Sequence, residues 1–450
     1  MKLLFALPEY VQQSGGGIIA FYRAFLPELV ALGHTVHVIV GSGASADANG
    51  KFFTADGVTV EALDASRFQR WFPKFSRYEM FPRLQAHLAA AWAVWEQAGA
   101  GRDFDVVEAT DWGLLYVPWA VHAALDGPSV VASMHGSMGQ IATHDPVPGE
   151  EAMNALIRLI EIESLRSAPL VQANSPLNAA FWEAELGRPV DMIYPAWLTA
   201  DSPMESAARG QRALVVGRIQ SWKGPETLCE AIDLLGSTAP HVDWVGRDTR
   251  QGRLPAMSSV VEARFPEIWG KRVSPLGGRN PAETAALQRS ASFVIVPSNW
   301  DVFNMACVEA MACATPVICS TGAGAHALIR DGANGLVFES GNAASLAGAI
   351  QRMQGMSQQK RSAMGALAAE TVRMWLAPKV IAAERLAAYG QLIAREVGEK
   401  YSCSETLREI VTAQPDSVNK LQMEFLDTFS IRALSRHLAR RLGRKLSLRM

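Results

Sequence analysis

The chain has no stretch of about 18 consecutive apolar residues, which argues against a membrane-spanning helix. Cysteine is scarce: five in 450 residues, at 229, 307, 313, 319 and 403, with no C-x-x-C and no Cys/His cluster. That spacing excludes a disulfide framework and a zinc finger, and it fits a reducing cytoplasm. Neither sign of charge is in excess. With 42 basic against 44 acidic residues and a formal net charge of −2, the chain lacks the basic surplus of a nucleic-acid binder. It contains neither a P-loop nor G-x-G-x-x-G. The apolar start Leu3-Leu4-Phe5-Ala6-Leu7 stops at Pro8-Glu9 without a small-residue cleavage site. A buried first strand is expected there rather than a secretion signal.

What is present is core-forming material. Apolar residues make up 49% and charged residues 19%, and the length suits two domains or one large one. Residues 2–7 predict a strand, and a loop then reaches Gly15-Gly16-Gly17. Ile18, Phe21, Phe25, Leu29 and Leu32 recur at helical spacing, Gly33 stops the helix, and Val36, Val38 and Val40 alternate as a strand. Strand, Gly-rich turn, helix and strand make a βαβ unit, hence a parallel sheet. Further strands are expected at 105–109, 129–134 and 171–175. After a linker through Pro195, Pro203 and Gly210 the alternation restarts, with strands at 213–216, 242–245, 293–296, 316–319 and 335–338. Helices are expected at 225–235, 305–312 and 343–353. Two such runs predict an α/β protein of two doubly wound, Rossmann-like domains facing across a cleft, with ligands beyond the carboxyl ends of the strands.

Three constellations could carry chemistry. Gly15-Gly16-Gly17 follows a strand and opens a helix, so its backbone N–H groups suit a phosphate; the alternative is a plain turn. Gly217-Arg218-Ile219-Gln220-Ser221-Trp222-Lys223-Gly224 sets two cations on one turn after a strand, which suits a diphosphate; the alternative is two solvated charges. In the segment from Pro297 to Ala312, Asp301 precedes a helix that carries Glu309. Carboxylates accept well from sugar hydroxyls. The alternatives are an N-terminal cap for Asp301 and a neighbouring Arg for Glu309. His135 ends a first-domain strand, a place where core and functional histidines both occur.

In this order the motifs resemble glycosyltransferase family 4, retaining enzymes of the GT-B fold. The resemblance rests on the Gly-rich loop, Gly217-Arg218 with Lys223-Gly224, and the carboxylate-x7-carboxylate pair Asp301/Glu309. It also rests on Glu309-Ala310-Met311-Ala312 with Thr315-Pro316-Val317-Ile318, and on Asp331-Gly332-Ala333-Asn334-Gly335. It spans roughly residues 1–395. The resemblance implies that Arg218 and Lys223 hold the donor diphosphate, Glu309 the ribose and Asp301 the sugar ring. It places the amides of Phe303, Asn304 and Met305 against sugar and phosphate, Gly16 and Gly17 near the leaving phosphate, and His135 over the donor sugar. It implies transfer of a hexose-type sugar from a nucleotide diphosphate donor, with retention, to a glycan or lipid-linked acceptor in cell-surface polysaccharide or glycolipid synthesis. A GT-B-type nucleotide-sugar epimerase and a non-catalytic sugar-nucleotide binder stay open. No cofactor and no metal are expected: Asp103-Phe104-Asp105 has the Asp-x-Asp spacing but precedes a strand. The departures are Asp301 for the usual Glu, Asn304 after Phe303 for the usual Gly, and Ala323 and Ala327 for a glycine and an acid.

The expected division is an acceptor domain at 1–203, a donor domain at 204–374, a crossover helix at 375–398 returning to the first domain, and a helical basic tail at 399–450. The crossover helix is expected to show an apolar face of Trp375, Val380, Ile381, Leu386, Tyr389 and Ile393. Seven of the 42 basic residues lie in 431–450, where there is no acid. On a helix, Ile431, Leu434, Leu438, Leu442 and Leu446 form a stripe opposite Arg432, Arg436, Arg440, Arg441 and Arg444, with Lys445 and Arg449 off the pattern. Such a helix suits an anionic membrane surface; docking on the acidic body and disorder are the alternatives. A second basic and aromatic segment (Arg67, Arg70, Lys74, Arg77 and Arg83, with Trp71, Phe72, Phe75, Tyr78 and Phe81) suits a membrane interface or an ordinary packed element. The expected location is the cytoplasm, with peripheral attachment to the inner face of the plasma membrane.

Overall fold

The computed structural model describes residues 1–10, 16–41, 52–122, 127–198, 209–250, 255–395, 403–413 and 430–447. The expectations for Gly15, the boundary at 203/204 and Arg449 fall outside them. The first sheet is built from β1 (Lys2–Leu7), β2 (Thr35–Val40), β3 (Phe52–Ala55), β4 (Val58–Ala62), β5 (Val106–Thr110), β6 (Ser129–Met134), β7 (Leu170–Ala173) and β8 (Asp191–Met192). Its order is β3-β4-β2-β1-β5-β6-β7-β8, and among the described residues only β3–β4 pairs antiparallel. Leu3 of β1 sits in register with Val36 on one side and Val106 on the other. Residues Leu3 to Leu7 are buried on both faces, as a central parallel strand requires.

The second sheet comprises β9 (Ala213–Val216), β10 (Val242–Val245), β11 (Val273–Gly277), β12 (Val294–Val296), β13 (Val317–Ser320) and β14 (Leu336–Phe338), in the order β11-β10-β9-β12-β13-β14. In each sheet the chain order reverses beside the first strand, between β1 and β5 and between β9 and β12. Crevices at such reversals receive ligands. The loops leaving these strands carry Gly16, Asp111, Arg218 to Lys223 and Asp301.

The two halves touch directly. Ser175 Oγ donates to the Val302 carbonyl at 2.6 Å, Ser221 Oγ donates to Asp145 Oδ1 at 2.6 Å, and the His144 ring stacks on Trp300 at 4.2 Å and 9°. The helix Pro378–Ala394 returns to the first domain, where Ile381, Ala382, Tyr389 and Leu392 join Leu3, Phe5, Phe21 and Phe25 in one core. Its face is narrower than the sequence reading. Trp375 ends the preceding helix, Gln358–Trp375, and is 51% exposed; Val380 and Ile393 also face solvent. Pro378 is the physical reason, since it disfavours helical backbone at Ala377 and starts a new helix. The buried face instead includes Arg385.

The segment after 399 is not one tail. The helix Glu405–Val411 buries Leu407 and Val411 against the first domain's core. Arg77 donates to the carbonyls of Glu409 and Thr412, and Tyr78 to that of Ile410. This corrects the membrane reading of 67–83: Arg67 and Arg70 pair with Glu96, Arg83 pairs with Glu150, and Phe75 is buried. The helix Ile431–Ser447 is different. Ile431, Leu438 and Leu442 are 82%, 56% and 62% exposed, so at these three positions of the stripe no docking on the acidic body is seen among the described residues.

Candidate active site

The second domain supplies most of the site. After β9 the chain turns at Gly217, and Gly224 caps the helix Pro225–Leu235 with φ of 73°. A Cβ on Gly224 would strike the Pro297 carbonyl, so this loop closes only around glycine. The loop is tied to the next one, because Asn299 N donates to the Trp222 carbonyl at 2.8 Å. Lys223 and Arg218 therefore share a turn yet differ. Lys223 Nζ bonds the Asp301 carboxylate in a pair only 17% and 8% exposed. Arg218 is exposed and makes no hydrogen bond or ion pair among the described residues.

Asp301 is not the cap of the following helix. Asn304 is: its Oδ1 accepts from Cys307 N at 3.0 Å, while its Nδ2 donates to Asp301 Oδ2 at 2.8 Å. Asn304 sits at φ 82°, in the left-handed region where glycine is the default and Asn the next most tolerated residue. The replacement of the usual glycine is thus compatible with the turn and adds a polar contact. Phe303 is buried, and Met305 opens the helix Met305–Ala312. Met305 Cγ lies 3.3 Å from where a Gly17 Cβ would be. The N-termini of the helices Gly17–Ala31 and Met305–Ala312 therefore meet across the cleft, both presenting free N–H groups and positive dipole. Gly16 is the N-cap of the first of them.

Glu309 stands just over one turn into its helix. Burial pushes its carboxyl up to about 7, and its one hydrogen bond among the described residues comes from Gln288 Nε2 at 3.4 Å. No Arg among the described residues pairs with it, which leaves a carboxylate with spare acceptor capacity. Lys223, Val216, Gly217, Pro297, Ser298 and Asn304 line one recess at the ends of β9 and β12.

The first domain contributes His135 and its support. His135, half-buried as a residue, directly follows β6, with Nε2 3.1 Å from the Tyr22 hydroxyl and 3.1 Å from Ser133 Oγ. Desolvation, then the nearby Arg385 guanidinium, lower its pKa to about 3, so the imidazole is neutral. Asp111, buried and raised to about 7, accepts the backbone N–H groups of His135 and Gly136 at 2.9 and 3.0 Å. Asp105 is remote: Oδ2 accepts the Lys2 N–H at the opposite end of β1. No group of three or more His, Cys, Asp or Glu that could hold a metal occurs among the described residues.

Two family models divide the chain between them: the glycosyl transferase 4-like domain matches residues 16–197, and glycosyl transferases group 1 matches 210–355. The chain belongs to glycosyltransferase family 4. A D-inositol 3-phosphate glycosyltransferase of Frankia alni is 27% identical over 75% of this chain and 86% of its own length. One from Arthrobacter sp. is 31% identical over 44% of this chain, a match spanning about half (47%) of that relative. Among solved structures, sucrose-phosphate synthase from Thermosynechococcus elongatus superposes with a TM-score of 0.65 at 19% identity, over 87% of this chain and 99% of that one. Anabaena Alr3699/HepE, in complex with UDP and glucose, gives 0.61 at 20% identity over the same shares. The fold is GT-B. In this family's frame the structure gathers Gly16, Gly17, Arg218, Lys223, Asp301, Phe303, Asn304, Met305 and Glu309 on the two loop edges that face each other. The supports that sequence reasoning missed are Tyr22, Glu108, Asp111 and Arg385. Arg385 left one signal, a charge on the apolar side of a helix.

Proposed function

We propose that this chain is a retaining glycosyltransferase that moves a hexose from a nucleotide diphosphate donor to an acceptor hydroxyl. The observation that carries the reading is the meeting of two helix N-termini near the loop of Arg218 and Lys223, with the Glu309 carboxylate, which keeps spare acceptor capacity, just over one turn along the second of these helices. Positive charge and dipole suit a diphosphate, and Glu309 suits a ribose. The bond from sugar C1 to the diphosphate oxygen breaks, and one from C1 to the acceptor oxygen forms. The acceptor proton leaves to the released diphosphate or to water. Lys223, Arg218 and the helix amides stabilise the charge that grows on the phosphate oxygens. His135, a very weak base in its desolvated setting, serves as a hydrogen-bonding group rather than as the proton acceptor. The reaction is proposed to need no metal, because fixed cations occupy that role. UDP in the Anabaena structure supports testing UDP-hexoses first.

The acceptor is proposed to be a glycan or lipid-linked molecule at an anionic membrane surface, held near the cleft by the helix Ile431–Ser447, whose Ile431, Leu438 and Leu442 are exposed. A small phosphorylated polyol is the second reading, favoured by the relatives that act on D-inositol 3-phosphate. The deciding assay is release of nucleoside diphosphate from a panel of nucleotide sugars, with each acceptor class and with EDTA. Epimerised sugar without acceptor, or binding without turnover, would replace the reading. Vesicle flotation tests the tail: full-length protein should float with anionic vesicles and a chain ending at 430 should not. Equal flotation of the two would remove the membrane attachment.

A further inference from the structure

A fully buried ion pair lies beneath His135. Arg385 Nη1, on the crossover helix, donates to both oxygens of Glu108 on β5 at 2.6 Å, and the two side chains are 1% and 0% exposed. Tyr389 also donates to Glu108, and Tyr22 donates to Glu108 Oε1 at 2.6 Å. All these bonds run toward the carboxylate, so Glu108 is an acceptor throughout. A phenol has one hydrogen, and that of Tyr22 is committed to Glu108. The Tyr22 oxygen can then only accept from His135 Nε2, 3.1 Å away. Ser133 Oγ, equally near, fits the same direction as a second acceptor. Nδ1 has no hydrogen-bond partner among the described residues.

We infer that the Arg385–Glu108–Tyr22 chain locks His135 as the Nε2-protonated tautomer, so that Nδ1 offers a lone pair to a hydroxyl of the bound donor sugar. The inference rests on the glycosyltransferase reading for its sugar partner, but the tautomer stands on the hydrogen-bond directions alone. Tyr22, Glu108 and Arg385 are positioning residues in this account. Through them the helix that rejoins the two domains sets the face His135 shows the cleft. The charged and titratable groups around the ring are Tyr22 on the first helix, Glu108 on β5, Asp111 just after it, and Arg385 and Tyr389 on the crossover helix. Lowered by desolvation and by Arg385, the ring stays neutral at working pH.

The test is 15N spectroscopy of full-length protein labelled at histidine, with the His135 signals identified by their loss in His135→Asn. Between about pH 5.5 and 8 the wild-type ring should show one neutral, Nε2-protonated pattern, where an ordinary histidine would titrate. A nucleotide hexose should then shift Nδ1 more than Nε2. Ser133→Ala should keep the pattern. Tyr22→Phe should populate the other tautomer, because Ser133 can turn and donate, and should lower kcat/KM about tenfold, the loss of roughly one hydrogen bond. A wild-type ring protonated on Nδ1, or one that titrates in this range, overturns the inference, and this spectrum decides even where a variant fails to fold. An unchanged Tyr22→Phe spectrum also overturns it. The stated tautomer with no response to any nucleotide sugar would leave the lock standing and sink the sugar reading instead.

Discussion

The two domains build their halves of the cleft in opposite ways. The second uses contiguous chain: residues 217–224 form one loop, and 297–309 another loop and its helix, with Lys223 to Asp301 as the contact between them. The first assembles His135 from Tyr22, Glu108, Asp111, Ser133 and Arg385, which lie up to 277 residues apart in a single hydrogen bond. Local loops can change one residue at a time, as Asp301 and Asn304 show. The buried network has no such freedom, because each member satisfies another.

The largest effect expected from this contrast is on stability. Arg385→Met leaves Glu108 buried without its cation and should cost roughly 3–5 kcal/mol, against little for removing the exposed Arg218. Denaturant midpoints of the two variants measure it; similar midpoints would erase the distinction between the halves.

The second prediction separates the two cations. Lys223→Ala removes a phosphate contact and also strands the Asp301 carboxylate, whereas Arg218→Ala removes only a contact made on binding. A charge-assisted contact is worth about 1.5–3 kcal/mol, so Arg218→Ala should lose at least about tenfold in kcat/KM and Lys223→Ala distinctly more. Equal, near-wild-type turnover would remove the diphosphate assignment.

A smaller effect concerns pH. Glu309 has a folded-state pKa raised to about 7 from 4.5, so between these values the folded chain binds more protons than the unfolded one. Its contribution therefore favours folding at low pH and is lost as pH rises toward 7. Donor binding should run the other way, because the ionised form accepts hydroxyls better. Titration of nucleotide-sugar affinity from about pH 6 to 8 should show tightening in wild type and a flatter profile in Glu309→Gln. Matching profiles would detach Glu309 from the ribose.

The same contrast explains what the sequence made legible. Helices such as Pro225–Leu235 and Met305–Ala312 were readable to the residue, because a strand, a turn and a periodic apolar face follow one another locally. The helix Pro82–Gln97 was not, because Leu88 to Val94 are buried all round and leave no amphipathic contrast. Strand β11, Val-Ser-Pro-Leu-Gly at the sheet edge, lacks an apolar run. At the site, family order marked Arg218, Lys223, Asp301 and Glu309. The tie of Lys223 to Asp301 and the support of His135 depend on contacts across the fold that no local pattern encodes. The docking of Glu405–Val411 on Arg77 and Tyr78 was hidden for the same reason.

The central claim is that the cleft between the Lys223 loop and the helix beginning at Met305 holds a nucleotide diphosphate sugar. Thermal unfolding with a panel of such donors tests it most directly. A donor at 100 times its dissociation constant stabilises by about 2.7 kcal/mol, so at least one should raise the melting temperature of the wild type and fail to do so, at the same concentration, for Lys223→Ala. No shift with any donor, or an undiminished shift in that variant, would contradict the account.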